Sequence, residues 1–95
     1  LLGRSDVQDD KELANNLARF KAAQCQFYYI KSDVNNADAV RKAVAEGEKQ
    51  LAPVTMLMHS AGLNKPMLIK QLTIELMNET LKPKVNGLEN LLAAV

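Results

Sequence analysis

The sequence predicts an α/β fold: a partial doubly wound parallel sheet, about three strands and three helices of a larger domain. Three observations predict it. Val54-Thr55-Met56-Leu57-Met58 is nearly all apolar without alternation, the pattern of a strand covered on both faces, as in a parallel sheet. Apolar residues recur at helical spacing before and after it, at Leu13, Leu17 and Phe20, at Val40, Val44 and Leu51, and at Leu76, Leu81, Val85, Leu88 and Leu92. Strands alternating with helices imply right-handed crossovers and a ligand crevice at the carboxyl ends of the strands.

Each element has a local reason. Leu1 and Leu2 run straight into Gly3-Arg4-Ser5 and read as the end of a strand already under way, so residue 1 is not expected to be a natural start. Asp9 and Asp10 stand at the positive end of a first helix whose apolar stripe should face a sheet. Phe27-Tyr28-Tyr29-Ile30 is short, aromatic and β-branched, and predicts a strand ending near Lys31. Asn36 caps a second helix, Gly47 marks a close contact or a weak point near its end, and Pro53 closes it. Thr73 caps a long third helix with Glu75 in its first turn. Pro83 removes the donor to the carbonyl of Glu79 and clashes with the preceding turn, which predicts a kink or break just before Lys84.

Composition narrows the class. Twelve basic and eleven acidic residues are interspersed, so nothing calls for a nucleic acid or an anionic membrane as partner. The single cysteine, Cys25, forms neither an intrachain disulfide nor a multi-thiolate metal site, and no metal site is expected; a reducing, cytoplasmic location follows. No apolar stretch approaches the roughly 20 residues that span a bilayer. A chain of 95 residues buries only roughly 60 to 65% of its unfolded surface, so its own core is marginal.

The strand exits Gly3-Arg4-Ser5, Ser32-Asp33-Val34 and His59-Ser60-Ala61-Gly62 should lie side by side along one sheet edge, and three small or polar exits suggest a nucleotide. Arg4 offers a planar fork of donors matched to phosphate oxygens, and Ser5 adds a hydroxyl; the plain alternative is a solvated loop arginine. Asp33, ionised, accepts hydrogen bonds and never donates them; in isolation it reads as a turn or helix-entry aspartate. His59 has no recognisable Asp, Ser or Cys partner, and a packing or hydrogen-bonding role is favoured over catalysis. Lys82 reads as solvated.

The pairing of Val54 through Gly62 with Lys82-Pro83-Lys84-Val85-Asn86-Gly87 resembles the middle of a ketoreductase (KR) domain of polyketide and fatty acid synthases, a branch of the short-chain dehydrogenase/reductase family. The resemblance runs from the first strand exit to Leu91-Leu92, and its motifs persuade by order and spacing. It implies a Rossmann-like fold in which residues 1–95 are the central part of one NAD(P)-binding domain. The glycine-rich turn is missing upstream and the catalytic serine, tyrosine and asparagine are missing downstream, so the piece alone should not catalyse. Tyr28 and Tyr29 lie in a different strand and do not replace that tyrosine.

The resemblance also implies roles. Arg4, with Ser5, would meet the phosphate of the adenosine ribose, since ketoreductases keep a basic residue there and use NADPH. Asp33 would accept from the adenine amino group while the amide of Val34 contacts the ring, and Ser60, Ala61 and Gly62 would seat the cofactor ribose. Lys84 would be the catalytic lysine of a Lys-Val-x-Gly setting, lowering the pKa of the absent tyrosine and holding a proton relay; Asn86 is not the family asparagine. The implied substrate is a β-ketoacyl thioester on an acyl carrier protein, and the implied partners are other synthase domains. Asn64-Lys65-Pro66 stands where many ketoreductases of one stereochemical class carry Leu-Asp-Asp, so product configuration stays open, as does oligomeric state. Two alternatives remain: a free-standing short-chain reductase acting on another carbonyl, and a non-catalytic structural half-domain.

Overall fold

A computed structural model describes all residues, 1–95. Two short parallel strands, β1 (Leu2–Gly3) and β2 (Ile30–Lys31), pair with Leu2 opposite Ile30 and Gly3 opposite Lys31. The N–H of Ile30 donates to the carbonyl of Leu1 at 2.9 Å and that of Ser32 to the carbonyl of Gly3 at 2.8 Å, so pairing extends one residue past each strand. Helix α1 (Lys11–Ala22) connects the strands, α2 (Ala37–Gln50) follows β2, and α3 (Ile74–Ala94) closes the chain after a single 3₁₀ turn at Ile69–Gln71.

The three helix starts are where cap chemistry places them. Asp10 accepts from the N–H of Leu13 at 2.9 Å, Asn36 from that of Ala39 at 3.0 Å, and Thr73 from that of Leu76 at 3.2 Å. Helix α1 ends with Gln24 at φ 57, and the N–H groups of Gln24 and Cys25 donate back to the carbonyls of Lys21 and Phe20, both at 3.0 Å. That double closure is a Schellman ending, with glutamine in the left-handed position that glycine usually takes.

Alternation along the strands distributes the helices over both faces. Leu2 packs against the buried cluster of Val34, Val40, Val44 and Leu91, built by α2, α3 and the exit of β2. Gly3 and Tyr29 face the other way, into a hollow shared with Leu13, Leu17 and Phe20 of α1. The stripe of α1 thus faces the sheet as expected, yet none of its residues is buried. Leu51 departs from its expected face: it is the residue after α2 and is exposed.

Two expectations give way. The helix over 74–94 runs through Pro83 without a break. Glu79, whose carbonyl loses its donor, is on the solvated side, and the carbonyl of Pro83 is itself tied to His59. The third strand is also not formed: Val54–Met58 lies outside the sheet, which has two strands rather than about three. No backbone group from Ala52 to Met67 bonds to another backbone group, and the N–H of Val54 is taken by the carboxylate of Glu48 at 2.9 Å. Met56 and Met58 are 81% and 84% exposed, so the segment is covered on one face at most, through Leu57, which packs on the core.

Seven of 95 residues are buried. The radius of gyration is 15.3 Å, against about 12 Å for a compact domain of this length. The core is therefore local, centred on Val40, and the other apolar surfaces are left open.

Candidate functional site

The register of β1 and β2 brings their exits together. Because Gly3 and Lys31 are partners and Ser32 bonds back to Gly3, Arg4 and Asp33 leave the sheet at the same edge. Arg4 is exposed and its guanidinium lies in no ion pair, although Asp6, Asp9 and Asp10 follow closely. Asp6 is held below the ordinary carboxylate range by the N–H of Gln8, with Lys31 adding to it at 3.5 Å. Asp10 is held low by the N–H of Leu13 and next by the Ser5 hydroxyl. Two of the nearby acids are thus engaged elsewhere, which leaves Arg4 as a free donor fork.

Asp33 does what a turn aspartate does: one carboxylate oxygen accepts from the N–H of Asn35 at 2.9 Å, and its carbonyl accepts from the N–H of Asn36 at 3.0 Å. The residue is exposed and its second carboxylate oxygen accepts no bond within the chain. Val34, next to it, is buried, and its carbonyl accepts from the side-chain amide of Asn90 at 2.8 Å. The N–H of Val34 is bonded to nothing in the chain, so it remains available to a ligand.

The third exit meets α3. His59 Nε2 lies 3.0 Å from the carbonyl oxygen of Pro83, half-buried, and as the only hydrogen-bearing partner it donates. This is the hydrogen-bonding role expected for it. Two close approaches flank that bond. A Cβ on Gly87 would sit 2.8 Å from Cγ2 of Val34, so only glycine lets α3 lie against the exit of β2. A Cβ on Gly62 would sit 3.3 Å from Cε of Lys84, so the Lys84 stem lies directly on the small-residue segment. Lys84 is exposed and makes no ion pair.

The structure therefore groups the sequence-derived residues in three places. Val34, His59, Ser60 and Ala61 line one groove of about 370 Å³ beneath α2 and α3. Gly62 and Lys84 touch at its side. Arg4 and Ser5 line a separate hollow of about 260 Å³ between β1 and α1. Sequence reasoning quoted Gly87 only as the glycine of the Lys-Val-x-Gly setting and overlooked Asn90, yet these two residues of α3 fasten it to Val34; the signal was a small and an amide residue three apart on one helix face.

Two parallel strands whose exits share one edge, a free arginine at the first exit and a helical lysine laid over the small-residue segment at Gly62 make a partial α/β arrangement of the Rossmann type. The family model for the KR domain matches residues 1–95. The chain is 35% identical over 86 residues to a polyunsaturated fatty acid synthase of Thraustochytrium sp., covering 90% of this chain and 3% of that protein. It is 31% identical over 65 residues to probable polyketide synthase 1 of Dictyostelium discoideum, covering 68% of this chain and 2% of that protein. An N-terminal ketoreductase from the macrolactin assembly line superposes with a TM-score of 0.85 at 26% identity, covering 99% of this chain and 19% of that one. The chain belongs to the KR domain family, the ketoreductases of polyketide and fatty acid synthases. It spans a small fraction of the length of each of these relatives.

Proposed function

We propose that the chain is the central part of an NADPH-dependent ketoreductase that reduces a β-ketoacyl thioester, carried on an acyl carrier protein, to the β-hydroxyacyl product. The family supports a nicotinamide cofactor and an oxidoreductase parent. The very long synthases among the relatives support other synthase domains as partners and weigh against a free-standing reductase.

The residues present fit such a cofactor: a side chain at Gly62 would crowd the Lys84 stem, and the N–H of Val34 and the guanidinium of Arg4 are both free. Arg4 would bind the phosphate of the adenosine ribose. The open oxygen of Asp33 would accept from the adenine amino group, and the N–H of Val34 would donate to the ring. Ser60, Ala61 and Gly62 would seat the nicotinamide-side ribose. When bound, NADPH supplies the hydride that adds to the ketone carbon.

Lys84 has a distinct task. The alkoxide left by hydride addition takes a proton from an acid, and the ammonium of Lys84 favours the charged form of a tyrosine beside it and holds the relay that returns its proton. The observation that carries the reading is the contact of Lys84 with Gly62.

The test is Lys84→Ala in the full ketoreductase. The expected result is a fall in kcat of about 100-fold or more with NADPH affinity retained. An unchanged kcat overturns the reading.

A further inference from the structure

Tyr29, the residue before β2, reaches across β1 to the residue after Arg4. Its hydroxyl donates to the carbonyl of Ser5 at 2.7 Å. The hydroxyl end of its ring packs against Gly3: a Cβ there would be 2.6 Å from the phenol oxygen and 3.1 Å from Cε2. The exit of β1 is thus held at two successive points, the carbonyl of Gly3 by the N–H of Ser32 and the carbonyl of Ser5 by the phenol. Arg4 is the residue between them.

Two acids that follow are engaged elsewhere. Asp10, the cap of α1, accepts from the N–H of Leu13, and Asp6 accepts from the N–H of Gln8 and pairs with Lys31. Ser5 is therefore held by its carbonyl, and that restraint leaves the guanidinium of Arg4 free. Burial, then the charges of Asp10 and Asp6, push the Tyr29 phenol above its ordinary range, which keeps it a donor.

We infer that Tyr29 is a positioning residue for cofactor selectivity: by tying Ser5 to β2 it fixes the backbone from which Arg4 reaches a phosphate on the 2′ oxygen of an adenosine ribose. The inference rests on the proposed role of Arg4. Its physical basis is entropy. A loop arginine left to wander loses backbone and side-chain freedom when it binds a phosphate, and a loop already closed at Gly3 and Ser5 loses less. A cofactor without the 2′-phosphate gains nothing from this restraint, so the restraint acts on selectivity rather than on binding in general.

Tyr29→Phe removes the hydroxyl and leaves the ring on Gly3. Calorimetric titration of the full ketoreductase with 2′,5′-ADP and with 5′-AMP separates the phosphate term from the rest of the nucleotide. Tyr29→Phe is expected to weaken 2′,5′-ADP about five-fold, the loss of one ordinary hydrogen bond, with 5′-AMP affinity unaltered and the KM ratio of NADPH to NADH rising in step. Arg4→Ala is run beside it. Unchanged 2′,5′-ADP binding in Arg4→Ala overturns the role of Arg4 and the inference with it. Selective loss in Arg4→Ala but not in Tyr29→Phe overturns the inference alone. Equal loss of both nucleotides in Tyr29→Phe marks a general structural role and also overturns it. In the double variant, loss beyond Arg4→Ala shows Tyr29 acting independently, against the inference, while no added loss supports it.

Discussion

Two segments of this chain read alike as sequence and differ as structure. Phe27–Ile30 and Val54–Met58 are both short apolar runs followed by polar or small residues. The first ends in a paired strand whose neighbours Leu1 and Gly3 accept its hydrogen bonds. The second runs unpaired, with two methionines in solvent. A strand is a relation between backbones, and apolar composition states only what a segment buries once a neighbour is present.

Hydrogen exchange gives the largest expected contrast. The amide of Ser32, bonded to Gly3 at 2.8 Å, should exchange on the order of 100-fold or more slowly than those of Leu57 and Met58, which are bonded to nothing in the backbone. Equal rates would abolish the distinction between the segments.

A substitution pair sharpens it. Gly87→Ala puts a Cβ 2.8 Å from Val34 Cγ2 and 3.2 Å from its Cβ, and should destabilise the paired region by about 2 kcal/mol in urea titration. Met56→Ser, at an 81% exposed position, should move the midpoint by no more than about 0.5 kcal/mol. A comparable loss from both would mean that the 54–58 segment is covered after all.

The smallest effect is acid sensitivity confined to the paired side. The carboxyls of Asp10 and Asp6 lie below their ordinary value of 3.8 when folded, so the stability they contribute is complete above that value and is lost as pH falls through the lowered folded values. Circular dichroism should therefore show α1 weakening below about pH 4 while Asn36-capped α2 persists. Parallel loss of both helices would show that acid acts on the core instead.

Legibility followed the range of the interaction. Asp10, Asn36 and Thr73 were readable as caps because a cap is settled within three residues. The continuity of α3 through Pro83 was not, because the local rule counts the donor lost to the Glu79 carbonyl and not that Glu79 is on the exposed side of the helix. The candidate site was readable as a set of strand exits. Its geometry was not, since Gly62 and Lys84 meet only when α3 folds back, and what brings α3 back is Gly87 against Val34 and Asn90 on its carbonyl. Tyr29 reads in the sequence only as a tyrosine on the wrong strand; its direction follows from alternation, one residue before Ile30, which turns it toward α1.

The solvent-facing thioethers of Met56 and Met58 make the open segment chemically as well as structurally distinct. Peroxide converts accessible methionine to its sulfoxide, a polar group that no apolar layer accepts without cost, and methionine sulfoxide reductases reverse the change. The oxidation state of these two side chains is thus a chemical record of whether the segment had been covered: reduced under a neighbouring layer, oxidised in the open.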